Sequence, residues 1–251
     1  MAPAIVVVIP AFNERARLGA TLGSIAAYGR LHGTALRIVL ADDGSTDRTA
    51  DMAVAAARDL DLDLTVLRLD HAGKAWAVRR GMLHAAASTE ADYLLMLDAD
   101  NEISIEHLED VPWMDDPSAI YIGRRVGTVG GRTGTRPSRL RRLMSAGMRT
   151  LSRILLGLPY RDTQCGFKLF PRRHVRDLFG QQRTRGWVFD AEILVIAARS
   201  HLPVVEVPVV WNPCGVSRVR ATAALTSLGW VLAIAARRAT DRYRPVEGAG
   251  Q

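Results

Sequence analysis

The stretch Tyr93-Leu-Leu-Met-Leu-Asp98-Ala-Asp100-Asn-Glu102 joins an apolar run of strand length to two carboxylates separated by one residue. At the carboxyl end of a buried parallel strand, such a pair can hold a hard divalent cation, which in turn can hold a diphosphate. The alternative is a strand that simply ends in a polar loop, with Asp98 or Asp100 capping the next turn. Taken alone, the pair does not separate these two interpretations.

The segments around this stretch predict a parallel sheet. The β-branched run Ile5-Val-Val-Val-Ile9 is typical of a strand covered on both faces, and we expect further strands at 36–40, 64–69 and 93–97. Helices are expected near 15–28, 48–59 and 74–87. Strands and helices that alternate at this spacing indicate an α/β fold with a Rossmann-like, mostly parallel sheet flanked by helices.

Three of the four predicted strands end in acidic or amide side chains. These are Asn13 and Glu14, Asp42 and Asp43, and Asp98 and Asp100. The carboxyl ends of parallel strands form the ligand-binding edge of such sheets, so we expect a nucleotide site with a divalent metal there. There is no GxGxxG and no GxxxxGK[ST] sequence, which argues against the usual dinucleotide fold and a P-loop.

Individual residues fit nucleotide chemistry. Asp42 can accept hydrogen bonds from ribose hydroxyls, and residues 10–14 can contact the base. Lys74 begins a predicted helix and can neutralise a diphosphate, although a solvated lysine explains it equally well. Asp43 can equally be a cap or turn residue.

The positive charge is concentrated in the middle of the chain. Residues 123–189 contain sixteen basic and two acidic residues, a net charge of +14, so the remainder has −7 of the overall +7. Such a segment is typical of docking onto lipid head groups, phosphates or nucleic acid, the alternative being a solvated arginine-rich face.

Two apolar segments at helical spacing indicate amphipathic interface helices, near 139–158 with interleaved arginines and near 221–238. An ordinary core helix with a solvated arginine face is the alternative for the first. No stretch reaches the roughly 18 apolar residues that span a bilayer, and two cysteines indicate a reducing compartment. We therefore expect a protein that lies on a membrane surface without crossing it.

Together these motifs resemble a known family. The runs Ile9-Pro-Ala-Phe-Asn-Glu14, Ala41-Asp-Asp-Gly-Ser-Thr-Asp47, Gly73-Lys74 and Leu97-Asp-Ala-Asp100 are similar to the GT-A domain of family 2 glycosyltransferases. Asp162-Thr-Gln-Cys-Gly-Phe-Lys168 and Gly186-Trp-Val-Phe-Asp190-Ala-Glu192 resemble the dolichyl- and polyprenyl-phosphate glucose and mannose synthases, the first run being more like the glucose branch. The resemblance covers residues 5 to about 220, and we expect a GT-A domain at 1–220. Residues 221–251 are expected to form the amphipathic helix and, after Tyr243, a disordered tail.

The resemblance implies an inverting transfer of a hexose from a nucleotide diphosphate sugar to a polyprenyl phosphate, with Mg²⁺ or Mn²⁺. It also implies a cytoplasmic protein that lies peripherally on the inner face of the plasma membrane. UDP-glucose is the favoured donor and GDP-mannose the next. It places the nucleotide sugar against Pro10, Phe12, Asn13, Glu14, Asp42, Lys74, Asp98, Ser217 and Arg218, and the metal on Asp98, Asp100 and Glu102. It places the acceptor phosphate against Arg124, Arg141 and Ser145, and the catalytic set is Asp98, Asp100, Asp190, Arg124 and Arg141.

Some positions depart from the family pattern. Glu102 stands where the mannose synthases have a glutamine, which adds a charge. The segment around Ser217 and Arg218 has an insertion and lacks the usual histidine. A phosphate acceptor needs no general base. A hydroxyl acceptor would need one, and Asp190, Glu192 and Asp162 are the candidates, although Asp190 and Glu192 can equally order loops.

Other functions are compatible with parts of the sequence. The same donor chemistry could serve a soluble hydroxyl or phosphate acceptor. A nucleotidyltransferase would need a glycine-rich basic loop after the first strand, and Ala11-Phe-Asn-Glu14 is not such a loop. A nucleic-acid-binding protein could use the arginine-rich middle, but Trp187 and Phe189 show no stacking pattern, so we expect no nucleic acid partner.

Overall fold

The computed structural model describes residues 3–113, 115–128, 150, 153–213 and 222–246, with side chains from residue 226 onward in the last range. Its strands are β1 (Ile5–Ala11), β2 (Arg37–Asp42), β3 (Asp63–Arg68), β4 (Tyr93–Leu97), β5 (Ile120–Thr128), β6 (Phe167–Pro171) and β7 (Val204–Trp211). Its longer helices are α1 (Leu18–His32), α2 (Thr49–Asp59), α3 (Lys74–Ser88), α4 (Arg172–Gln181), α5 (Phe189–Arg199) and α6 (Thr222–Ala239). A short 3₁₀ helix covers Ile105–Leu108.

The seven strands form one sheet in the order β3-β2-β1-β4-β6-β5-β7. β1 pairs in parallel with β2 and β4, and β2 pairs in parallel with β3. β6 runs antiparallel to both β4 and β5, while β5 and β7 are parallel. The mostly parallel α/β sheet flanked by helices that the sequence predicts is confirmed.

The central strands are apolar because helices cover both faces of the sheet. Every residue of β1 and β4 is buried, and two hydrophobic clusters lie on opposite sides, one around α3, α4 and α5 and the other around α1. Helix α3 approaches β1 very closely at Gly81, where a Cβ would lie 2.6 Å from Val8 Cγ1. This packing fixes the first turn of α3 against the carboxyl ends of the central strands.

The chain after β7 packs onto the same core. Val231 and Ile234 of α6 belong to the cluster that includes α5, and Tyr243 and Val246 are also buried. The backbone N–H of Val246 donates to Ser200 Oγ at 2.8 Å. Residues 244–246 therefore differ from the expected disordered tail, and residues 247–251 lie outside the described part.

The predicted amphipathic helices are only partly described. Residues 153–156 form a helical turn in which Ile154 is 73% exposed and Leu156 is buried, and most of 139–152 lies outside the described residues. The helix predicted near 221–238 agrees with α6, in which Leu232 is 52% exposed. Within the described ranges, no helix is both long and apolar enough to span a bilayer.

Candidate active site

Asp98 follows the last residue of β4, and Lys74 is the first residue of α3. The Lys74 Nζ lies 2.6 Å from Asp98 Oδ1. The side chains of Asp98 and Asp100 are 29% and 24% exposed, so both carboxylates reach the surface of the sheet edge. The structure thus brings together two predicted metal ligands and the predicted diphosphate-binding lysine.

The Asp98 carboxylate occupies space that a glycine leaves open. A Cβ at Gly166 would lie 2.2 Å from Asp98 Oδ2, and the Asp98 N–H donates to the Gly166 carbonyl oxygen at 3.1 Å. Any larger residue at 166 would displace the carboxylate. Gly166 lies within the motif Asp162–Lys168, but the sequence alone did not predict this role for it.

The electrostatics of the two carboxylates differ. Burial would raise the pKa of Asp98, but Lys74, with Lys168 and Arg125 further away, holds it below its ordinary value. Burial, together with the negative charges of Asp98 and Glu102, raises the pKa of Asp100 to about 6. The site therefore has an excess of negative charge around Asp100, which a cation would relieve.

Glu102 makes a different contact from the one predicted. Its Oε2 accepts a hydrogen bond from Trp211 Nε1 at 2.8 Å, so the carboxylate faces the end of β7. In the described part of the chain, no group of three or more His, Cys, Asp or Glu side chains is arranged to hold a metal ion. Two carboxylates completed by substrate phosphates are the usual Mg²⁺ arrangement, and Asp98 and Asp100 fit it. Glu102 as a ligand stays a prediction.

Long-range hydrogen bonds hold the segment after β1 in place. The N–H groups of Asn13 and Glu14 donate to Ser45 Oγ and Thr49 Oγ1, each at 2.9 Å. Asn13 has φ of 55°, in the left-handed region, and its Oδ1 accepts from the Thr46 N–H. These contacts join the ends of β1 and β2 into one rim beside Asp98.

This rim has an aromatic surface, formed by the predicted Phe12 and by His71, which was not among the predicted site residues. The Phe12 ring is 37% exposed and stacks on His71, with centroids 4.1 Å apart. His71 Nδ1 lies 2.8 Å from Asp43 Oδ2, and the other Asp43 oxygen accepts from the Ala72 N–H. Asp43 therefore orders the turn before α3, as a cap or turn residue would. Pro10 and Asp42 are buried behind this surface, and Asp42 Oδ1 accepts from the Ser45 N–H.

Arg17 is a second site residue that the sequence did not single out. It forms a two-point contact with Glu14, with both N–O distances 2.7 Å, and its NH1 lies 3.9 Å from Asp100 Oδ2. The spacing of three residues between Glu14 and Arg17 could have indicated the pair. Arg17 therefore lies between Glu14, which follows β1, and Asp100, which follows β4, and attracts both carboxylates.

A buried ion pair lies beneath the site. Lys168 Nζ is 2.7 Å from Asp190 Oδ1, and these side chains are only 2% and 7% exposed. Lys168 also donates to the Cys165 carbonyl oxygen at 2.5 Å. Burial raises the pKa of Asp190 even though Lys168 and Lys74 oppose the effect. The sequence could have indicated this ion pair, because Lys168 interrupts the apolar run Phe167–Pro171.

Neighbouring acids mainly order the structure. Asp162 binds Arg125 through both carboxylate oxygens, at 2.6 and 2.9 Å. Glu192 is fully buried and accepts from the N–H groups of Arg183 and Thr184 and from the Tyr243 hydroxyl. Glu192 thus fits the loop-ordering alternative.

The predicted acceptor residues are only partly described. Arg124 is half-buried on β5, opposite Pro208 of β7. The other predicted residues, Arg141, Ser145, Ser217 and Arg218, lie outside the described residues. The structure therefore assembles the donor side of the predicted site.

Comparison with known proteins identifies the family. The model of the family "Glycosyl transferase family 2" matches residues 6–179, more than half of the chain. The chain belongs to glycosyl transferase family 2. This membership confirms the resemblance that the strand-end motifs predicted.

Several curated relatives in this family are dolichyl-phosphate beta-glucosyltransferases. The Saccharomyces cerevisiae enzyme is 32% identical over 223 residues, the Drosophila melanogaster enzyme 34% over 223 and the human enzyme 30% over 221. Each alignment covers 82% of this chain and 66% of the relative. The chain therefore spans slightly less than two thirds of the length of these relatives.

Solved structures confirm the GT-A fold. Mycobacterium tuberculosis glucosyl-3-phosphoglycerate synthase superposes with a TM-score of 0.65 at 17% identity, covering 94% of this chain and 81% of that one. The Rubrobacter xylanophilus mannosyl-3-phosphoglycerate synthase gives 0.64 at 19% identity, covering 98% and 77%. A complex of the M. tuberculosis enzyme with Mn²⁺ and UDP-glucose gives 0.60 at 18% identity, covering 98% and 81%.

Proposed function

We propose that this chain is an inverting, metal-dependent hexosyltransferase that moves glucose from UDP-glucose to a polyprenyl phosphate, with GDP-mannose as the next donor candidate. The observation that supports it most is the strand-end group of Lys74, Asp98 and Asp100 in a family 2 domain. The names of the curated relatives favour glucose and a dolichyl-type acceptor.

The donor would bind along the rim between β1 and β4. The exposed Phe12 ring offers a stacking surface for a base, and Asp42 is close to where a ribose would lie. Lys74, at the first turn of α3, would contact the diphosphate together with the N-terminal end of that helix. Pro10, Asn13 and Glu14 would shape the donor-binding position, and Ser217 and Arg218 would complete it.

Asp98 and Asp100 would hold Mg²⁺ or Mn²⁺ with the donor phosphates, and Glu102 would approach if its contact with Trp211 opened. A bound divalent cation balances the charge that develops on the departing nucleoside diphosphate. Lys74, which already pairs with Asp98, would shift its contact towards the phosphate oxygens when the donor binds.

The acceptor would approach from the β5 side. Arg124, with Arg141 and Ser145, would bind its phosphate and direct one ionised oxygen at the anomeric carbon. The carbon–oxygen bond to the acceptor forms as the bond to the nucleoside diphosphate breaks, with inversion. No proton has to be removed from an ionised phosphate, so Asp190, which is paired with Lys168, would act on the site through its charge.

We place this reaction on a membrane surface, because a polyprenyl phosphate is membrane-bound and the segment 123–189 is strongly basic. Exposed Ile154 and Leu232 are apolar side chains suited to an interface. The inner face of the plasma membrane stays a prediction from the sequence.

The test is a transfer assay with UDP-glucose and GDP-mannose, Mn²⁺ or Mg²⁺, and a short polyprenyl phosphate in detergent. Asp98→Asn and Asp100→Asn are compared with Asp59→Asn, a matched change at an exposed residue at the end of α2. We expect lipid- and metal-dependent release of one nucleoside diphosphate, lost in both site variants and retained in Asp59→Asn. Turnover with a soluble acceptor alone would support the alternative acceptor, and absence of donor binding would overturn the proposal.

A further inference from the structure

A small cavity lies beside the first turns of α3, outside the donor and acceptor positions described above. It has a volume of about 160 Å³ and is lined by Trp76, Arg79, Gln182, Arg183, Thr184 and Arg185. It is close to the start of α3, since a Cβ on Gly73 would lie 3.5 Å from the Arg185 carbonyl oxygen. None of the residues assigned to the donor or the acceptor lines it.

The residues that line the cavity include arginines and no acid, and the adjacent Glu192 carboxylate accepts from the backbone N–H groups of Arg183 and Thr184. Three arginines line the cavity, and in the described part of the chain none of them forms an ion pair with a carboxylate. Burial, followed by repulsion from Arg183 and Arg80, lowers the pKa of Arg79. Arg79 uses its Nε and one terminal nitrogen to bond the carbonyl oxygens of Phe179 and Gly180, which leaves further N–H donors on the guanidinium.

Two buried polar atoms on residues that line the cavity have no hydrogen-bond partner among the described residues. These are Gln182 Oε1 and Thr184 Oγ1, on residues that are 5% and 2% exposed. The position of Gln182 is fixed, because its Nε2 donates to the Ala75 carbonyl oxygen at 2.9 Å. Thr184 is fixed by its N–H bond to Glu192 Oε2 at 2.7 Å. Buried polar atoms normally have partners, so these two indicate a ligand.

We propose that this cavity is a second phosphate-binding site, which takes hydrogen phosphate or the phosphate group of a monoester. The guanidinium groups are planar donors that match phosphate oxygens. The Thr184 hydroxyl can donate to a phosphate oxygen, and Gln182 Oε1 can accept from the P–OH group. The phosphate would come either from a soluble compound or from a phospholipid head group.

Occupation of the site would link two elements of the catalytic domain. Trp76 and Arg79 belong to α3, whereas Gln182, Arg183 and Arg185 belong to the segment between α4 and α5. The same α3 begins with Lys74, which contacts Asp98. A bound phosphate would therefore hold α3 against this segment and support the position of Lys74.

The experiment measures binding of inorganic phosphate by isothermal titration calorimetry at constant ionic strength. It uses a Lys74→Gln/Arg124→Gln background, so that the proposed donor and acceptor positions do not contribute. Into this background we introduce Arg183→Gln/Arg185→Gln, Thr184→Val, or the control Arg30→Gln, an exposed arginine on α1. Circular dichroism verifies that each variant is folded, and the double arginine variant, at exposed positions, gives the main result if Thr184→Val does not fold.

A second arm measures flotation with vesicles of phosphatidylcholine, with and without phosphatidic acid. We expect saturable phosphate binding that weakens at least tenfold in the arginine and threonine variants and is unchanged in Arg30→Gln. Binding of phosphatidic acid vesicles that depends on Arg183 and Arg185, without binding of free phosphate, would assign the site to a lipid head group. The proposal is overturned if neither probe binds, or if Arg30→Gln weakens binding as much as the double variant does.

Discussion

Asp98 and Gly166 form the tightest fit in the candidate site. Replacing Gly166 by Ala places a Cβ where Asp98 Oδ2 now lies, 2.2 Å from it. We expect Gly166→Ala to displace the carboxylate, to lower sugar transfer at least tenfold and to cost about 1–3 kcal/mol of stability, as overpacking does. Urea unfolding and the transfer assay measure the two effects.

The control is Gly19→Ala on α1, where no atom lies within 4 Å of the added Cβ. There we expect a gain of about 0.5–1 kcal/mol, because alanine loses less backbone entropy in a helix. If Gly166→Ala kept full activity and stability, the close contact with Asp98 would not constrain the site.

Lys168 neutralises a carboxylate that is almost inaccessible to water. We expect Lys168→Met to destabilise the fold by about 3–5 kcal/mol, because it leaves Asp190 buried and unpaired. The pKa of Asp190 is already raised by burial and would rise further without the lysine. A raised folded-state pKa gives stability that is present at low pH and is lost as pH rises through it.

The stability deficit of Lys168→Met relative to wild type should therefore be larger at neutral than at acidic pH when urea unfolding is measured at both pH values. Adding Asp190→Asn to the variant should recover part of the loss and remove the pH dependence, because no buried charge remains. A deficit that is the same at both pH values would show that Asp190 does not become an unpaired charge.

At the scale of elements, the strands were predictable and the start of α1 was not. The β-branched and apolar runs place the first four strands within two residues of their observed bounds, because burial on both faces leaves a clear pattern. The sequence predicts a helix from about residue 15, whereas α1 begins at Leu18. The difference arises because Ser45, Asp47 and Thr49 bind the backbone of residues 13–15, and local periodicity does not report such distant hydrogen bonds.

Helix α5 and the segment after α6 are joined through Glu192 and Tyr243. The Tyr243 hydroxyl donates to Glu192 Oε1 at 2.8 Å within a buried environment. We expect Tyr243→Phe to cost about 1–3 kcal/mol, since Glu192 Oε1 loses a short hydrogen bond and keeps the longer contact with Arg237 NH1 at 3.3 Å. Tyr28→Phe, at a half-buried tyrosine on α1, is the comparison, and thermal unfolding gives both values. Equal and small losses would mean that Glu192 does not depend on Tyr243.

For the whole molecule, the sequence predicts which edge of the sheet binds the ligand, but not the side-chain contacts that build the site there. Carboxylates after the ends of β1, β2 and β4 had to meet, because parallel strands align their carboxyl ends. Three contacts join residues that are distant in the sequence: His71 stacks on Phe12, Arg17 approaches Asp100, and Lys168 pairs with Asp190. No motif rule relates such residues, so only the three-dimensional arrangement reveals them.

The distribution of charge along the chain gives a prediction about membrane binding. The net charge of +14 over residues 123–189 should attract anionic membranes. We expect flotation with vesicles containing phosphatidylglycerol, little flotation with phosphatidylcholine alone, and a marked decrease when salt is raised from about 0.1 to 0.5 M because screening weakens the attraction. Flotation that does not change with lipid charge or salt would contradict an electrostatic membrane surface.

The central claim is that Asp98 and Asp100 bind a nucleotide sugar through a divalent cation. Isothermal titration calorimetry of UDP-glucose, with Mn²⁺ and then with excess chelator, tests it most directly in wild type, Asp98→Asn and Asp59→Asn. We predict binding that requires Mn²⁺, weakens at least tenfold in Asp98→Asn and is unchanged in Asp59→Asn. Binding of equal strength after chelation, or in Asp98→Asn, would contradict the assignment of these carboxylates.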